Sequence, residues 1–280
     1  SFGALTPIVS NGNNDVFGPD ASHGTHVSGT IAAIRGNGLG VDGIAENVRI
    51  MVLRVVPNGD ERDKDIALAV RYAANNGAHI INMSFGKQFS PSKDKVDEAF
   101  LYAQSKGVLI AHAAGNESSN NDEVLFFPNR NVMNAKERNL PAQVSTWIEV
   151  GASSRRVKGA KLPAEFSNYG KREVDFFSPG HLILSTVPGN KYDVYSGTSM
   201  ATPAAVGVAA LLWSQFPSMT ALEVRGVLLS QVRQYGGLKV KKPGSEAQDL
   251  PNIFFSNLSV TGGVIDAFRA IDLAMQMSEE

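Results

Sequence analysis

The sequence predicts an α/β fold built on a mainly parallel sheet, and three observations predict it. Short apolar, β-branched runs alternate with longer segments of helical spacing, most of those runs lack the two-residue alternation of a half-exposed strand, and no repeat or low-complexity tract interrupts the rhythm. With 280 residues, 43% of them hydrophobic, the chain is long enough to bury a large core, and the expectation is one domain over residues 1–280.

The strands are expected at Val48 to Val56, Ala78 to Met83, Val108 to Ala113, Trp147 to Ala152 and Val174 to Phe177. Ile66, Ala69, Val70 and Ala73 keep helical spacing until Gly77, and Val96, Ala99, Phe100 and Ala103 do the same until Gly107. Ala204 to Phe216 is apolar almost all round, which predicts a buried central helix stopped by Pro217; Thr220 with Glu223 forms a capping box for the next helix. Glu117 to Pro141 and Gly236 to Asn252 read as long exposed loops, and Lys239, Lys241 and Lys242 as a solvated face of the second.

Composition removes several functions. Twenty-six Lys and Arg against 27 Asp and Glu leave a net charge of −1, so no global field draws the chain to nucleic acid or to an anionic membrane. The absence of cysteine removes disulfides, thiolate catalysis and cysteine-bound metal. No apolar run has the length of a membrane span.

Three motifs carry chemistry. In His23-Gly24-Thr25-His26-Val27-Ser28-Gly29 a histidine opens a helix of small residues, which suits an imidazole held as a general base; two core histidines or a metal pair are the other readings, and no HExxH pattern or third ligand supports the metal. In Gly197-Thr198-Ser199-Met200-Ala201-Thr202-Pro203 a turn delivers a serine to the start of the buried helix, where its own N–H lies near the positive end of the dipole; an ordinary N-cap followed by proline in the first turn is the lesser reading of the motif alone. Ala113-Ala114-Gly115-Asn116 follows an apolar strand, so the Asn116 amide can face the crevice at the carboxyl end of a parallel sheet, although the tetrapeptide alone reads as a turn.

Taken together and in this order, His23, Asn116 and Ser199 resemble the subtilisin-like serine proteases, the subtilases. Ser84-Phe85-Gly86 after Ile80-Ile81-Asn82-Met83 resembles that family's substrate-binding edge, and Gly263-Val264-Ile265-Asp266 its C-terminal helix entry. Ala204 and Ala205 replace the histidine and valine usual after the proline, a change inside the buried helix.

The resemblance implies a three-layer fold with helices on both faces of a mainly parallel sheet, and a serine endopeptidase acting on polypeptides. It implies Ser199 as nucleophile, His23 as general base, and Asn116 with the Ser199 N–H as oxyanion hole. Ser84, Phe85 and Gly86 would form one wall of the substrate site and Ala113, Ala114 and Gly115 another. These walls are small or main-chain surfaces without an acidic side chain, which favours an apolar residue at the cleaved position. Secretion is implied, the chemistry requires no cofactor, and the loop holding Asn37, Gly38 and Gly40 resembles a structural calcium loop for which no ligand set is assigned.

One part of the pattern does not match. The family's aspartate ends an early strand, followed by Ser or Thr and then Gly, and the 22 residues before His23 hold no such strand. Asp15 and Asp20 read as polar lead-in to the helix, so the expectation is that an N-terminal segment upstream of Ser1, on this or another chain, supplies the acid, and that residues 1–280 alone are inactive. Two other enzyme classes fail. All five histidines precede Ser199, the reverse of the α/β-hydrolase order, and an α/β rhythm contradicts the all-β barrels of chymotrypsin-like proteases. The alternative is a non-catalytic peptide-binding relic.

Overall fold

A computed structural model of the chain describes residues 14–56, 59–156, 160–245 and 251–278. The order of elements is α1 (Ser22–Ala32), α2 (Asp63–Asn75), β1 (Ile80–Met83), α3 (Lys93–Ser105), β2 (Leu109–Ala113), β3 (Trp147–Ser153), β4 (Phe176–Pro179), β5 (Ile183–Val187), β6 (Lys191–Tyr195), α4 (Thr198–Gln215), α5 (Ala221–Ser230), β7 (Arg233–Gln234), β8 (Lys239–Val240), β9 (Ile253–Phe254), β10 (Gly263–Val264) and α6 (Ala267–Ser278). The central sheet runs β1-β2-β3-β4-β10-β7, parallel except where β7 meets β10.

The apolar strands are apolar because both faces are covered. Leu109 and Ala111 of β2 and Ile148, Val150 and Ala152 of β3 point into a core shared with α1, α4, α5 and α6. Ile110 and Trp147, on the opposite face, pack with Ile66 and Val70 of α2 and Val96, Phe100 and Ala103 of α3. Two cores on opposite sides of one sheet make the three layers. α4 lies in the first core with Met200, Ala201, Ala205, Ala209 and Leu212 buried, which accounts for its lack of a polar stripe. Thr220 and Glu223 form the expected capping box of α5. Among the described residues, no helix is long and apolar enough to cross a membrane.

Three expectations change. Val48 to Val56 forms no strand: the segment makes no ladder with any described residue and exposes Ile50, Met51 and Val52. Its β-prone composition needs a neighbouring ladder, and an open slot of about 1010 Å³ separates it from β1, which is an edge strand. The strand expected at Val174 to Phe177 is Phe176–Pro179, shifted towards the C-terminus. The two long loops are only partly exposed, since Asn121, Arg130 and Val132 of the first and Val240 and Ser245 of the second are buried.

Arg130 is buried because Asp175, just before β4, is buried with it. The guanidinium donates to both carboxylate oxygens, at 3.0 and 2.7 Å, and the Glu149 N–H of β3 donates to the same carboxylate at 2.8 Å. The pair fixes the long loop to the sheet and holds β3 in register with β4. Asp175→Ala leaves a buried unpaired guanidinium and should lower unfolding free energy by about 3–5 kcal/mol, measured as a shift of the urea midpoint at unchanged slope.

Candidate active site

The small residues of the histidine motif let α1 lie directly on the β5–β6 hairpin. A Cβ on Gly29 would overlap the Thr186 hydroxyl and crowd the Ser185 hydroxyl, while Ser185 Oγ donates to the His26 carbonyl at 2.8 Å and Thr186 Oγ1 to the Thr25 carbonyl at 3.0 Å. This packing separates the two histidines. His26 is fully buried, stacked on Tyr195 with centroids 4.4 Å apart, and its Nε2 faces the carbonyls of Ile183 and Asp193 at 3.0 and 3.2 Å. It is a core residue. His23, second in α1, is exposed, and its ring hydrogen-bonds no described residue. Loss of hydration in the cleft and the neighbouring His26 hold the His23 imidazole below its ordinary value, with Asp20 opposing them, so the ring is neutral near pH 7.

Ser199 is the second residue of α4, where a helical N–H has no partner in the preceding turn. Pro203 stands four residues on and has no N–H to give the Ser199 carbonyl. Ser84 Oγ, directly after β1, supplies the donor instead at 2.9 Å, and Ser199 Oγ donates back to the Ser84 carbonyl at 3.1 Å. Asn82 Nδ2 donates to Ser84 Oγ at 3.0 Å and completes the chain. Ser199 and Ser84 are thus brought together, whereas no hydrogen bond joins Ser199 to His23, although α1 and α4 pack against each other.

Asn116 lies three residues beyond the end of β2. Its Oδ1 accepts from the Thr198 N–H at 2.8 Å and the Thr198 hydroxyl at 3.0 Å. A backbone N–H can only donate, so the amide orientation is fixed and Nδ2 is left without an acceptor among the described residues. A methyl placed on Gly197 would lie 3.5 Å from Ser199 N and 3.7 Å from Asn116 Nδ2. Ser199 N and the Asn116 side-chain amide therefore both border the space beside Gly197, with Oδ1 of Asn116 as near to it as Nδ2. Gly115, at φ +109°, allows the turn, and a side chain there would collide with Asn168.

The two walls flank this space. The Thr198 hydroxyl accepts from the Gly115 N–H at 3.2 Å, and the Ala114 carbonyl accepts from Asn121 and Asn168 Nδ2 at 2.9 and 3.0 Å. Ala113, Ala114 and Gly115 are buried, and Phe85 and Gly86 half-buried. The Gly86 N–H and C=O bond to no other described residue, and a Cβ on Gly86 would overlap the Phe126 ring. Thr198, Asn168 and Phe126 were not singled out from the sequence. Thr198 stands inside the serine motif, but Asn168 and Phe126 act across more than 30 residues and carry no local signal.

The loop with Asn37, Gly38 and Gly40 is closed by its own side chains. Asn37 Oδ1 accepts from the Leu39 N–H at 2.8 Å and Asp42 Oδ1 from the Gly36 N–H at 3.1 Å. Among the described residues, no group of three His, Cys, Asp or Glu side chains could hold a metal.

A parallel sheet with helices on both faces, and a serine and an asparagine meeting at a helix start, place the chain in the class of subtilisin-like α/β proteins. The chain belongs to the subtilase family, whose profile matches residues 8–248. It is 37% identical over 219 residues to subtilisin of Bacillus pumilus, covering 77% of this chain and 72% of that protein. It is 35% identical over 237 residues to alkaline elastase YaB of Bacillus sp. (strain YaB), covering 84% of this chain and 54% of that protein, so it spans about half the length of some curated relatives. Among solved structures, a protease of Pseudoalteromonas arctica superposes with a TM-score of 0.68 at 28% identity, covering 90% of this chain and 70% of that one. A cold-adapted subtilisin-like serine proteinase gives 0.62 at 29%, covering 87% and 76%.

Both His23 and His26 are held below 6.5, chiefly by lost hydration, and the carbonyls around His26 oppose the shift. The folded state therefore binds fewer protons than the unfolded chain in the window below 6.5. Their contribution to stability is complete above that pH and is lost as the pH falls from 6.5 through the folded values. NMR titration should give both rings midpoints below 6.5, with a thermal midpoint that falls on acidification through that window; a His23 midpoint above 6.5 would contradict the assignment.

Proposed function

We propose that the chain is the catalytic portion of a serine endopeptidase. Ser199 attacks the scissile carbonyl while His23, neutral near pH 7, takes the hydroxyl proton; Asn116 Nδ2–H and the Ser199 N–H receive the oxyanion; His23 then returns the proton to the leaving amine. Water hydrolyses the Ser199 acyl-enzyme by the same steps. The observation that carries this reading is the double acceptance by Asn116 Oδ1, which leaves its Nδ2 beside the Ser199 N–H. In this reading Ser199 Oγ leaves the Ser84 carbonyl, to which it donates at 3.1 Å, and turns to His23.

The substrate is proposed to lie as an added strand along Ser84, Phe85 and Gly86, opposite Ala113, Ala114 and Gly115, with the free main-chain groups of Gly86 as its first contacts. The Phe126 ring against Gly86 supports an apolar residue at the cleaved position. Secretion follows from the same family reading.

The acid that orients His23 is proposed to arrive on a strand filling the slot between residues 48–55 and β1. Gly24, Val27 and Ser28 line the slot beside His23, and Ile80, Ile81 and Met83 line it from β1. A strand there would pair the free edge of β1, cover the exposed Ile50, Met51 and Val52, and bring its carboxyl end towards α1. An upstream extension or a separate peptide ending in Asp-Ser-Gly or Asp-Thr-Gly would supply it.

Adding that strand should raise fluorophosphonate labelling of Ser199 by a factor on the order of 10⁴, the scale of losing a triad aspartate, and should protect the amides of residues 48–56 from exchange. Unchanged labelling and unchanged exchange would sink the slot reading. Absence of labelling in both forms would identify a non-catalytic peptide-binding relic instead.

In the activated form, Asn116→Leu should lower kcat by about 10²–10³, the magnitude known for the oxyanion asparagine of subtilisin, with little change in KM. A change confined to KM would remove Asn116 from the oxyanion role.

A further inference from the structure

One histidine remains outside this chemistry. His112, the penultimate residue of β2, is fully buried, stands opposite Glu149 of β3 in register, and has its Nδ1 2.8 Å from Glu149 Oε1. Its Nε2 is 2.9 Å from the Phe85 carbonyl. A carbonyl can only accept, so Nε2 carries a proton and donates it, and Nδ1 and Glu149 share a second hydrogen bond. Glu149 Oε2 accepts from Trp147 Nε1 at 2.7 Å, and the rings of Trp147 and Phe126 lie 5.4 and 6.1 Å from the imidazole.

Burying an imidazole and a carboxylate costs more than filling the same space with apolar side chains, so stability alone does not account for the pair. Its one hydrogen bond to a main chain beyond the central sheet goes to Phe85. There the chain has left β1, and the half-buried carbonyl has no other described partner. The rest of this ledge is pinned as well. Ser84 is tied to Ser199 on the side away from His112, the Lys87 N–H and C=O bond to Phe127 at 2.8 Å each, and Lys87 Nζ meets Asp63 Oδ1 at 2.6 Å and the Glu61 carbonyl at 2.7 Å. Gly86, between these ties, keeps its own main-chain groups free.

We propose that His112, clamped by Glu149, is a positioning residue that fixes the Phe85 carbonyl and thereby presents Gly86 to an extended peptide. The proposal rests on the peptidase reading for the identity of the ligand, but its structural part can be tested without catalysis. The test compares the unaltered chain with His112→Leu, which removes the donor, and His112→Gln, which retains an N–H. The readouts are amide exchange at Lys87 and the affinity for acetylated tetra-alanine amide, followed by NMR titration.

His112→Leu should speed Lys87 exchange and weaken the peptide by about ten-fold each, the scale of one buried hydrogen bond, and His112→Gln should restore most of both. Amides of α4 and of β3 beyond Glu149 should exchange as before. Unchanged Lys87 exchange, an equal rise throughout the sheet, or an unaltered chain that shows no saturable peptide shift would overturn the proposal. If His112→Leu does not fold, Glu149→Gln should give the same local rise at Lys87, and its absence would overturn the proposal too. A chain that responds in this way but does not label at Ser199 even after the acid-bearing strand is added would refute the peptidase reading and leave the ledge assignment standing.

Discussion

Pro203 takes one hydrogen bond away from the first turn of α4, and the geometry around Ser199 follows from how that loss is repaired. A helical carbonyl without its donor must find another or remain unsatisfied next to a buried helix, at a cost of about 1–3 kcal/mol. Ser84 provides the donor from the end of β1, and the bond carries positional information because it joins two elements more than 100 residues apart in sequence. Ser84 cannot satisfy Ser199 without bringing its own carbonyl alongside the Ser199 hydroxyl. The Ser84 ledge and Ser199, the proposed nucleophile, are therefore one assembly, and a shift of either would break two bonds.

The same economy appears at Thr198. Its N–H and hydroxyl both donate to Asn116 Oδ1, while the hydroxyl oxygen accepts from the Gly115 N–H. One residue thus orients the amide and fixes the main chain leading to it. The N–H of Thr198 is free for this use because it opens a helix, and the N–H of Ser199 is free for the same reason. In the proposed reading the oxyanion hole exists before substrate arrives, so its donors need no reorganisation when charge develops.

Much of this was legible in the sequence, and the parts that were not share a cause. The apolar runs of β2 and β3 reveal strands covered on both faces, and the stretch after Ser199 reveals a buried helix, because each pattern is local and strong. The capping box of α5 spans only four residues and is equally plain. His23 and His26 stood together in one motif, and only the packing of α1 on the hairpin tells the core ring from the exposed one. Asn168, Phe126 and the His112–Glu149 pair act between distant segments, which no spacing rule detects. Val48 to Val56 is the instructive miss: its residues favour a strand, but β-propensity expresses a fit to neighbouring strands, and no described strand lies against it.

That segment also separates what the chain organises by itself from what it does not. Ser199, Asn116 and the Ser84 ledge are tied to one another through α4, β1 and β2, with no described bond to residues 48–56. His23 differs from them, since nothing described fixes its ring and its only electrostatic neighbours of note are His26 and Asp20. In the proposed reading, transition-state charge stabilisation and base orientation thus have separate structural sources. If one strand both fills the slot and supplies the carboxylate, proton transfer becomes efficient only when the sheet is complete, because the surface that attracts the strand is apolar and the group it delivers is charged. Binding energy from Ile50, Met51, Val52 and the β1 edge would then offset the cost of bringing a carboxylate into the cleft beside His23. Folding and activation would be one event, with the orientation of a single imidazole as its chemical consequence.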